Sequence, residues 1–462
     1  MVRSVPGTLS RPTVTVREQP PRVVVIGGGF AGVRLLRRLE SLVPAGRAQL
    51  VVVSPVDHLL YTSLIPQVCA SSVEPRHLAV ALRSVLRRTL LCLGDAVAVD
   101  LAARTVTTRT VDGSARTIAW DRLVLAPGSV TATPEVPGLA EHALGLKTLD
   151  EAVALRDHVL ARLELADATA DPGQRSALCT FVVVGGGYTG TELAAQLAAF
   201  TRRAAAVCQR VRPGDVRWVL VDHAPRLLHE LAPALGRRAA RVLARRGIDV
   251  HLDTSAVEIS ADSVVLAAGG PNVRRHTRVP TRTVVWCAGV APSPLAAVLG
   301  LPTARGRLVT DEFFRVPSAD GVFALGDVAA VPDSTRGGAP AGQTAQHAVR
   351  QGVAAARNVA ASLGIGSARP YRHRDLGFVV DLGGRDAVAN PLGVPLSGLP
   401  AAVVTRAYHL ASLPSAANRA RVATDWLLND LFGQEITHYA APGPADRTIA
   451  ASENTQIYGR RT

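Results

Sequence analysis

The chain contains almost no lysine. Lys147 is the only one, although lysine and arginine together number 51. Arginine has replaced lysine nearly everywhere, which we attribute to the base composition of the genome. A lysine that is kept at one position then indicates a specific need there, and retention by chance is the alternative.

Cysteine pairs are also absent. The sequence has five cysteines, and no two of them form a CxxC motif: Cys69, Cys92, Cys179, Cys208 and Cys287. This spacing argues against a zinc site and against a redox dithiol built from an adjacent pair. Because the number is odd and the spacing irregular, we expect reduced thiols, as in a cytoplasmic protein. No metal site is predicted.

Long apolar runs are missing as well. No stretch reaches the roughly 18 apolar residues that a membrane-spanning helix needs. Residues 1–20 are polar, contain three prolines and lack the apolar core of a signal peptide. We therefore predict a disordered lead-in over residues 1–20, in a protein that is not secreted and does not span a membrane.

Basic charge, by contrast, is abundant. The formal net charge is +14, and such a surface can bind nucleic acid or anionic lipid. The arginines are scattered along the chain, and no nucleic-acid-binding motif accompanies them. We therefore predict contact with an anionic membrane surface and no nucleic-acid partner.

Size and apolar content set the fold class. A chain of 462 residues with 48% apolar residues predicts two or three domains with ample cores. The low aromatic content, with alanine, valine and leucine in excess, suits an α/β enzyme.

Two glycine-rich motifs each follow a short apolar run. GGGFAG at residues 27–32 follows VVVI, and GGGYTG at residues 185–190 follows FVVV. Each fits a strand, a tight turn and a helix. The first glycine allows the turn, the second lets the backbone approach a pyrophosphate, and the third lets the helix pack on the strand. The phosphates would lie at the positive helix N-terminus. Two such motifs predict two bound dinucleotides, with electrons passing between them.

The residue after the next strand differs between the two motifs. A dinucleotide-binding fold often has an acid there, which binds the ribose hydroxyls. After residues 50–53 this position is Ser54, and after residues 218–221 it is Asp222. An aspartate would repel a 2′-phosphate, so the second motif favours NADH over NADPH, although nearby Arg226 could soften the repulsion. A solvated aspartate at a strand end is the alternative.

Three further strand–turn patterns end at Gly128, Gly289 and Asp327. The first two predict the connections by which the chain leaves and re-enters the first domain. Asp327 follows the apolar run at residues 321–326. An aspartate at such a strand end can accept hydrogen bonds from a sugar-alcohol chain.

The character of the sequence changes after about residue 375. Glycines punctuate short apolar pieces, and residues 399–432 then combine arginines with apolar side chains at helical spacing. The most apolar of these are Trp426, Leu427, Leu428, Leu431 and Phe432. Such a stripe predicts a core or dimer interface, or else an amphipathic helix at a membrane surface.

With these motifs the sequence resembles the flavoproteins that have two dinucleotide-binding domains. Among them it is similar to the type II NADH dehydrogenases, which are single-chain NADH:quinone oxidoreductases. The resemblance covers about residues 21–435. Its most discriminating piece is TAQHAVRQG at residues 344–352, and the other pieces are residues 54–66, 185–194, 286–290 and 324–329. Serine at position 54 also occurs in one branch of the family.

The resemblance implies an α/β fold with two Rossmann-like domains, FAD at the first motif and NADH at the second. The residues it implies for FAD are Gly27, Gly29, Phe30, Ala31, Gly32, Ser54, Gly128, Gly326, Asp327 and Gln346. The residues it implies for NADH are Gly185, Gly187, Tyr188, Thr189, Gly190, Glu192, Asp222 and Gly289.

The resemblance also implies where the domains lie. The FAD domain would comprise residues 21–145 and 286–375, with the NADH domain inserted as residues 146–285. Residues 376–462 would form a C-terminal region that docks on the membrane or forms a homodimer. In the family, the C-terminal helices lie on the membrane without spanning it, which implies a peripheral protein on the cytoplasmic side of the plasma membrane. Here residues 399–432 are richer in arginine than the family pattern.

The implied reaction is hydride transfer from NADH to FAD, followed by two-electron reduction of a membrane quinone without proton pumping. Gln346, His347 and Gln351 would line the quinone pocket. Glu192 would orient nicotinamide or assist quinone protonation, and Lys147 would pair with a carboxylate near the flavin, with Glu192 as a candidate. Two simpler interpretations stay open: Gln346 and His347 stabilise a helix start, and Glu192 is an acid favourably placed at a helix N-terminus.

Other functions stay open at this point. A sulfide:quinone reductase would need two cysteines at the flavin, and a disulfide reductase would need a CxxC-type pair; the sequence displays neither. A diaphorase-like enzyme with another acceptor is an alternative. So is a flavoprotein without catalysis that senses NADH, or one that binds nucleic acid through its charge of +14.

Overall fold

The structure is a computed structural model that describes residues 20–269 and 275–438. The predicted lead-in, apart from its last residue, lies outside these ranges. The same holds for residues 439–462 of the predicted C-terminal region.

The first glycine motif follows an interior strand of a seven-stranded sheet. That strand, Arg22–Ile26, pairs in parallel with Gln49–Ser54 on one side and Arg122–Leu125 on the other. Its valines are fully buried, as expected for a parallel strand covered on both faces. The complete strand order is Val322–Ala324, Arg122–Leu125, Arg22–Ile26, Gln49–Ser54, Leu90–Asp100, Thr105–Thr110 and Ala115–Ala119.

The second motif stands in a separate five-stranded parallel sheet. Its central strand, Thr180–Val184, pairs with Arg217–Val221 and with Thr283–Trp286. The outer strands are Ala143–Leu144 and Ile248–His251. The predicted succession of strand, turn, helix and strand is confirmed at both motifs. Each motif contains the glycines of its turn and the apolar periodicity of its strand and helix, so the local sequence defines these elements.

The second unit begins before residue 146. Ala143–Leu144 belongs to its sheet, and Leu139 packs with Ala143 in the core beneath that sheet. An antiparallel meander extends the unit, with strands Thr254–Ile259, Ser263–Ala268 and Arg275–Pro280.

Two connections join the sheets, and they run side by side. The strand Ser129–Thr131, on the way out, pairs antiparallel with Val290–Pro292, on the way back. Further bonds tie the pair, since Ser293 donates its N–H to the Gly128 carbonyl at 3.0 Å. The turns after Gly128 and Gly289 therefore lie together between the two units.

Helices cover the sheets. The longer ones are Phe30–Leu42, Leu149–Ala168, Tyr188–Ala205, Pro233–Arg245, Ala345–Ser362, Leu399–Ser412 and Ala416–Phe432. The shorter ones are Ile65–Cys69, Pro75–Leu78, Leu82–Val85, Leu139–His142, Pro172–Leu178 and Leu295–Val298. None in the described ranges combines the length and the apolar character that crossing a bilayer requires.

The C-terminal part is a small antiparallel sheet followed by two helices. Its strands are Val379–Asp381, Ala387–Ala389 and Leu396–Ser397, and the helices are Leu399–Ser412 and Ala416–Phe432. Trp426 is buried, whereas Phe432, on the same helix, is 79% exposed. The apolar stripe predicted here is thus divided between core and surface.

Candidate active site

The first motif forms a turn that only glycine fits. Gly27 has φ +114°, and a Cβ atom placed on it would lie 2.1 Å from the Ala126 carbonyl oxygen. A Cβ atom on Gly32 would lie 2.0 Å from the Gly27 oxygen, so the helix packs directly on the turn. Gly29, which precedes the helix Phe30–Leu42, has no such neighbour within 4 Å. The helix N-terminus therefore faces open space that suits a pyrophosphate.

The second motif repeats this geometry. Gly185 has φ +115°, and a Cβ atom on it would lie 2.7 Å from the Cys287 carbonyl carbon. A Cβ atom on Gly190 would lie 1.9 Å from the Gly185 oxygen, while Gly187 faces open space before the helix Tyr188–Ala205. Both turns are therefore shaped for the same kind of ligand.

The strand-end residues behind the two turns differ as the sequence predicts. Asp222 is buried, and its carboxylate accepts the N–H of Gly186 and, at 2.7 Å, that of Ala224. Ser54 is also buried and donates its hydroxyl to the Val56 carbonyl at 2.7 Å. Of these two strand-end residues, Asp222 behind the second turn is the acid.

Arg226 does not neutralise Asp222. Its guanidinium donates to the carbonyls of His229 at 2.6 Å and Leu231 at 3.1 Å. The guanidinium is hydrogen-bonded within its own loop. Arg226 therefore does not offset the Asp222 carboxylate, although the sequence suggests that it could.

Asp327 lies in a short turn at the edge of the first sheet. Its carboxylate accepts the Ser129 hydroxyl at 2.7 Å, and Ser129 in turn accepts the Lys147 ammonium at 2.9 Å. The only lysine of the chain is thus linked to Asp327 through one hydroxyl. Glu192 is only a candidate for the carboxylate that pairs with Lys147; among the described residues Lys147 extends toward Ser129 and, through it, toward Asp327.

The start of the helix Leu149–Ala168 explains that direction. Thr148 caps this helix, and the Glu151 carboxylate accepts the N–H groups of Lys147 at 2.5 Å and of Thr148 at 2.8 Å. This capping box fixes the backbone at Lys147. Its side chain is thereby directed to the connection between the two units.

The helix Ala345–Ser362 packs against the helix of the first motif. A Cβ atom on Gly352 would lie 2.4 Å from the Ala31 carbonyl oxygen, so the contact requires glycine. Gln351 is fully buried, and its Oε1 accepts the Gly326 N–H at 2.7 Å. Gln351 therefore holds the turn that carries Asp327. Its place in the quinone pocket stays a prediction.

Gln346 lies on a different face of the same helix. Its amide donates to the Gly377 carbonyl at 2.7 Å and accepts the Leu376 N–H at 2.9 Å. It thereby fixes the segment that leads into the strand Val379–Asp381. Beside it, His347 bonds the Thr344 hydroxyl at 2.8 Å.

His347 also stacks on His373. The ring centroids are 3.9 Å apart, with 10° between the planes. Burial, with His373 next in importance, lowers the pKa of His347 to about 4. The His347 ring is therefore neutral at neutral pH. The sequence did not reveal this stack, because its two members come from separate segments.

Glu192 lies in the second turn of the helix Tyr188–Ala205. It is buried, and its Oε1 accepts the main-chain N–H of Asp381 at 2.8 Å. Burial, and next the Asp381 carboxylate, raises the pKa of Glu192 well above its ordinary value. Residues 376–381 thus bond Gln346 from one unit and Glu192 from the other.

Comparison with known proteins places this geometry in a family. A family model described as pyridine nucleotide-disulphide oxidoreductase matches residues 21–352. The chain is 30% identical to the internal alternative NAD(P)H-ubiquinone oxidoreductase A1, mitochondrial, of Solanum tuberosum, over 92% of this chain and 89% of that one. It is also 30% identical to the type II NADH:quinone oxidoreductase NdhA of Mycobacterium tuberculosis, over 88% of this chain and 86% of that one.

The chain belongs to the type II NADH:quinone oxidoreductase family. The predicted family and the oxidoreductase class are confirmed. The fold agrees: the structure of NDH2 from Plasmodium falciparum in complex with NADH matches with a TM-score of 0.83, at 15% identity, over 90% of this chain and 99% of that one.

Within this type II family member, the structure adds three residues that the sequence motifs did not indicate. Asp381 accepts the Gln67 amide at 2.6 Å, and Gln67 accepts the Trp426 indole N–H at 2.7 Å. These residues come from three distant parts of the chain. Of the three, Asp381 is the one with a local signal in the sequence, because it lies at a strand end shortly before a glycine pair.

The thiols of this oxidoreductase do not resemble a redox dithiol. All five cysteines, which lie within the described ranges, are free. Burial raises the pKa of Cys287 to about 12 and that of Cys69 well above its ordinary value, which keeps both thiols protonated. The described residues contain no His, Cys, Asp and Glu cluster suited to a metal ion.

Proposed function

We propose that this chain uses bound FAD to oxidise NADH and to reduce a quinone, so that NADH, H⁺ and quinone give NAD⁺ and quinol. The observation that carries the proposal is the pair of equivalent turns, each with open space at a helix N-terminus, whose units meet at residues 376–381. FAD supplies the two-electron relay between the two substrates.

The first turn suits FAD. Gly27, Gly29 and Gly32 would seat the pyrophosphate, and Asp327 would accept hydrogen bonds from the ribityl chain. Gly128 supports this fit, since it has φ +79° and no neighbour within 4 Å of a Cβ position. The other residues proposed to contact FAD are Phe30, Ala31, Ser54, Gly326 and Gln346.

The second turn suits NADH. Gly185, Gly187 and Gly190 would hold the pyrophosphate, and Asp222 would accept the ribose hydroxyls. Because Arg226 is bound elsewhere and no arginine of the described residues pairs with this carboxylate, a 2′-phosphate would be repelled. The other proposed contacts are Tyr188, Thr189 and Gly289, and Thr189 is exposed at the helix start.

Glu192 and Gln346 are proposed to serve the quinone. A quinone needs protons as it gains electrons, and burial raises the pKa of Glu192, which favours its protonated form. Gln346 fixes residues 376–377 beside it. His347 is neutral and can accept or donate a hydrogen bond at this edge. Lys147 keeps a proposed electrostatic role through Ser129 and Asp327.

Purified protein should therefore have a flavin spectrum that NADH bleaches and a quinone restores. We expect faster bleaching by NADH than by NADPH, because of Asp222. Absorbance near the flavin maximum, followed with menaquinone and ubiquinone analogues, measures both steps. Bleaching without reoxidation by any quinone would refute the quinone half and favour a diaphorase-like enzyme. Faster reduction by NADPH would contradict the role of Asp222.

The C-terminal helices carry an exposed apolar face, which we propose lies on an anionic membrane. On the helix Ala416–Phe432, the spacing of the exposed side chains puts them on one side; they are Leu427, Leu428, Leu431 and Phe432. Leu399 and Val403 of the preceding helix are exposed as well. The net charge of +14 favours anionic lipid as the partner.

Replacing Leu431 and Phe432 together by serine should weaken binding to phosphatidylglycerol-containing vesicles at least about tenfold, because two large apolar side chains leave the lipid. Vesicle co-sedimentation measures the effect. Val111→Ser removes an equally exposed side chain, 78% accessible, from a hairpin of the first sheet and serves as the control. Unchanged vesicle binding, with dissociation of a dimer on sizing, would assign this face to self-association instead.

A further inference from the structure

Asp381 lies directly behind Glu192. Its main-chain N–H donates to Glu192 Oε1 at 2.8 Å, and its own carboxylate is held in one orientation. Oδ1 accepts the Gly383 N–H at 2.8 Å, and Oδ2 accepts the Gln67 amide at 2.6 Å. The Asp381 side chain is therefore fixed beside the buried acid.

Gln67 is itself held by the C-terminal helix. Trp426, which is buried, donates its indole N–H to Gln67 Oε1 at 2.7 Å. This bond occupies the amide oxygen and leaves the amide nitrogen to donate to Asp381. The orientation of Gln67, and with it the stabilisation of the Asp381 carboxylate, follows from that contact.

The charges around the two acids are unequal. In the described part of the chain neither acid forms an ion pair, but two arginines lie close enough to Asp381 to favour its charged form. Arg406 comes from the helix Leu399–Ser412 and pairs with Asp430, and Arg246 follows the helix Pro233–Arg245 and pairs with Asp386.

Glu192 has fewer interactions that favour its charged form. Burial raises the pKa of both acids. At Asp381 the Gly383 N–H, the Gln67 amide and the two arginines act against this, whereas at Glu192 the Asp381 N–H does so alone among the described residues. Among the described residues Tyr188 also lies near Glu192, and burial raises its pKa, so that it stays neutral. Two neighbouring buried acids do not both ionise readily. The negative charge therefore settles on Asp381 and the proton on Glu192.

We propose that Asp381 is a positioning residue for this reaction: its fixed carboxylate keeps a proton on Glu192, so that Glu192 begins each turnover as a neutral acid. This inference rests on the proposed NADH:quinone activity. It adds to that activity a residue that sets the pH range over which the acid works.

The test is the pH profile of Asp381→Asn in the FAD-loaded enzyme, measured as kcat for quinone reduction. Activity that needs a protonated Glu192 is lost as pH rises through its pKa. Removing the neighbouring charge lowers that pKa, so the alkaline limb should move to lower pH by about one unit. Above the limb kcat should fall about tenfold, and below it kcat should equal that of the wild type. The KM for NADH should not change.

Three further variants separate this role from a structural one. Asp381→Glu should restore the wild-type limb, whereas Gln67→Leu should shift it in the same direction by less, because it removes one bond that favours charge on Asp381. Asp386→Asn removes a carboxylate from the same hairpin and should leave the limb in place. If Asp381→Asn fails to retain FAD, the pH profile of Gln67→Leu tests the proposal in its place.

The failure of this inference is distinct from that of the proposed function. A wild type that does not reduce quinones with NADH refutes the proposed function. An active wild type, with an unshifted limb in Asp381→Asn and Gln67→Leu, overturns the role of Asp381 alone. A shift of equal size in Asp386→Asn would also overturn it.

Discussion

Glu192→Gln is expected to lower kcat for quinone reduction by about 100-fold, in the range that general acids contribute. Glutamine has the same size, and its Oε1 can still accept the Asp381 N–H. It cannot release a proton. The alkaline limb of the pH profile should therefore disappear together with most of the rate.

The measurement is steady-state turnover with a quinone analogue, alongside the rate at which NADH bleaches the flavin. Bleaching should change far less than turnover, since hydride transfer needs no proton from Glu192. Glu230→Gln is the control: Glu230 is an exposed acid whose charge also faces Tyr188. A Glu192→Gln enzyme with normal quinone turnover would show that the proton comes from elsewhere.

Gly27→Ala is expected to abolish FAD retention by destabilising the fold, whereas Gly29→Ala should abolish it with the fold intact. Alanine at position 27 would place its Cβ 2.1 Å from the Ala126 oxygen, at φ +114°. Overpacking and strain of this kind cost about 3 kcal/mol of unfolding free energy. At position 29 the backbone is extended, with φ −79°, and a Cβ atom meets nothing. It would enter only the space proposed for the pyrophosphate.

Flavin-to-protein absorbance ratios and thermal unfolding, each with and without added FAD, distinguish the two variants. Without FAD, Gly29→Ala should unfold at the wild-type temperature and Gly27→Ala well below it. Added FAD should raise the unfolding temperature of the wild type only, because a ligand stabilises the state that binds it. Normal FAD content in Gly29→Ala would place the pyrophosphate somewhere other than this helix N-terminus.

The parts of the site that the sequence predicts are those with a local signal. At the second motif Gly186 of the turn and the acid at the next strand end are 36 residues apart, and the valine run directly precedes the turn. Both motifs, Asp222 and Asp327 could be located for that reason. The contact of Gln67 with Asp381 could not, because it joins residues more than 300 positions apart.

Helix rotation explains why Gln351 and Gln346 have different partners. Five residues separate it from Gln346, and at 3.6 residues per turn this rotates the side chain by about 140°. Gln346 therefore faces Gly377, while Gln351 faces Gly326. A sequence motif that contains both glutamines does not show which of them points away from Gly377. Lys147 is similar, since its direction depends on the capping box formed by Thr148 and Glu151.

The strand Val322–Ala324 has a consequence for the order of assembly during synthesis. It pairs with Arg122–Leu125, yet the whole second sheet is encoded between them. When Trp286 has left the ribosome, the second sheet has all its strands, whereas the first still lacks its edge. Domains generally fold as units. During synthesis, the strand Arg122–Leu125 of the first sheet thus has an unpaired edge at a stage when the second sheet already has all its strands.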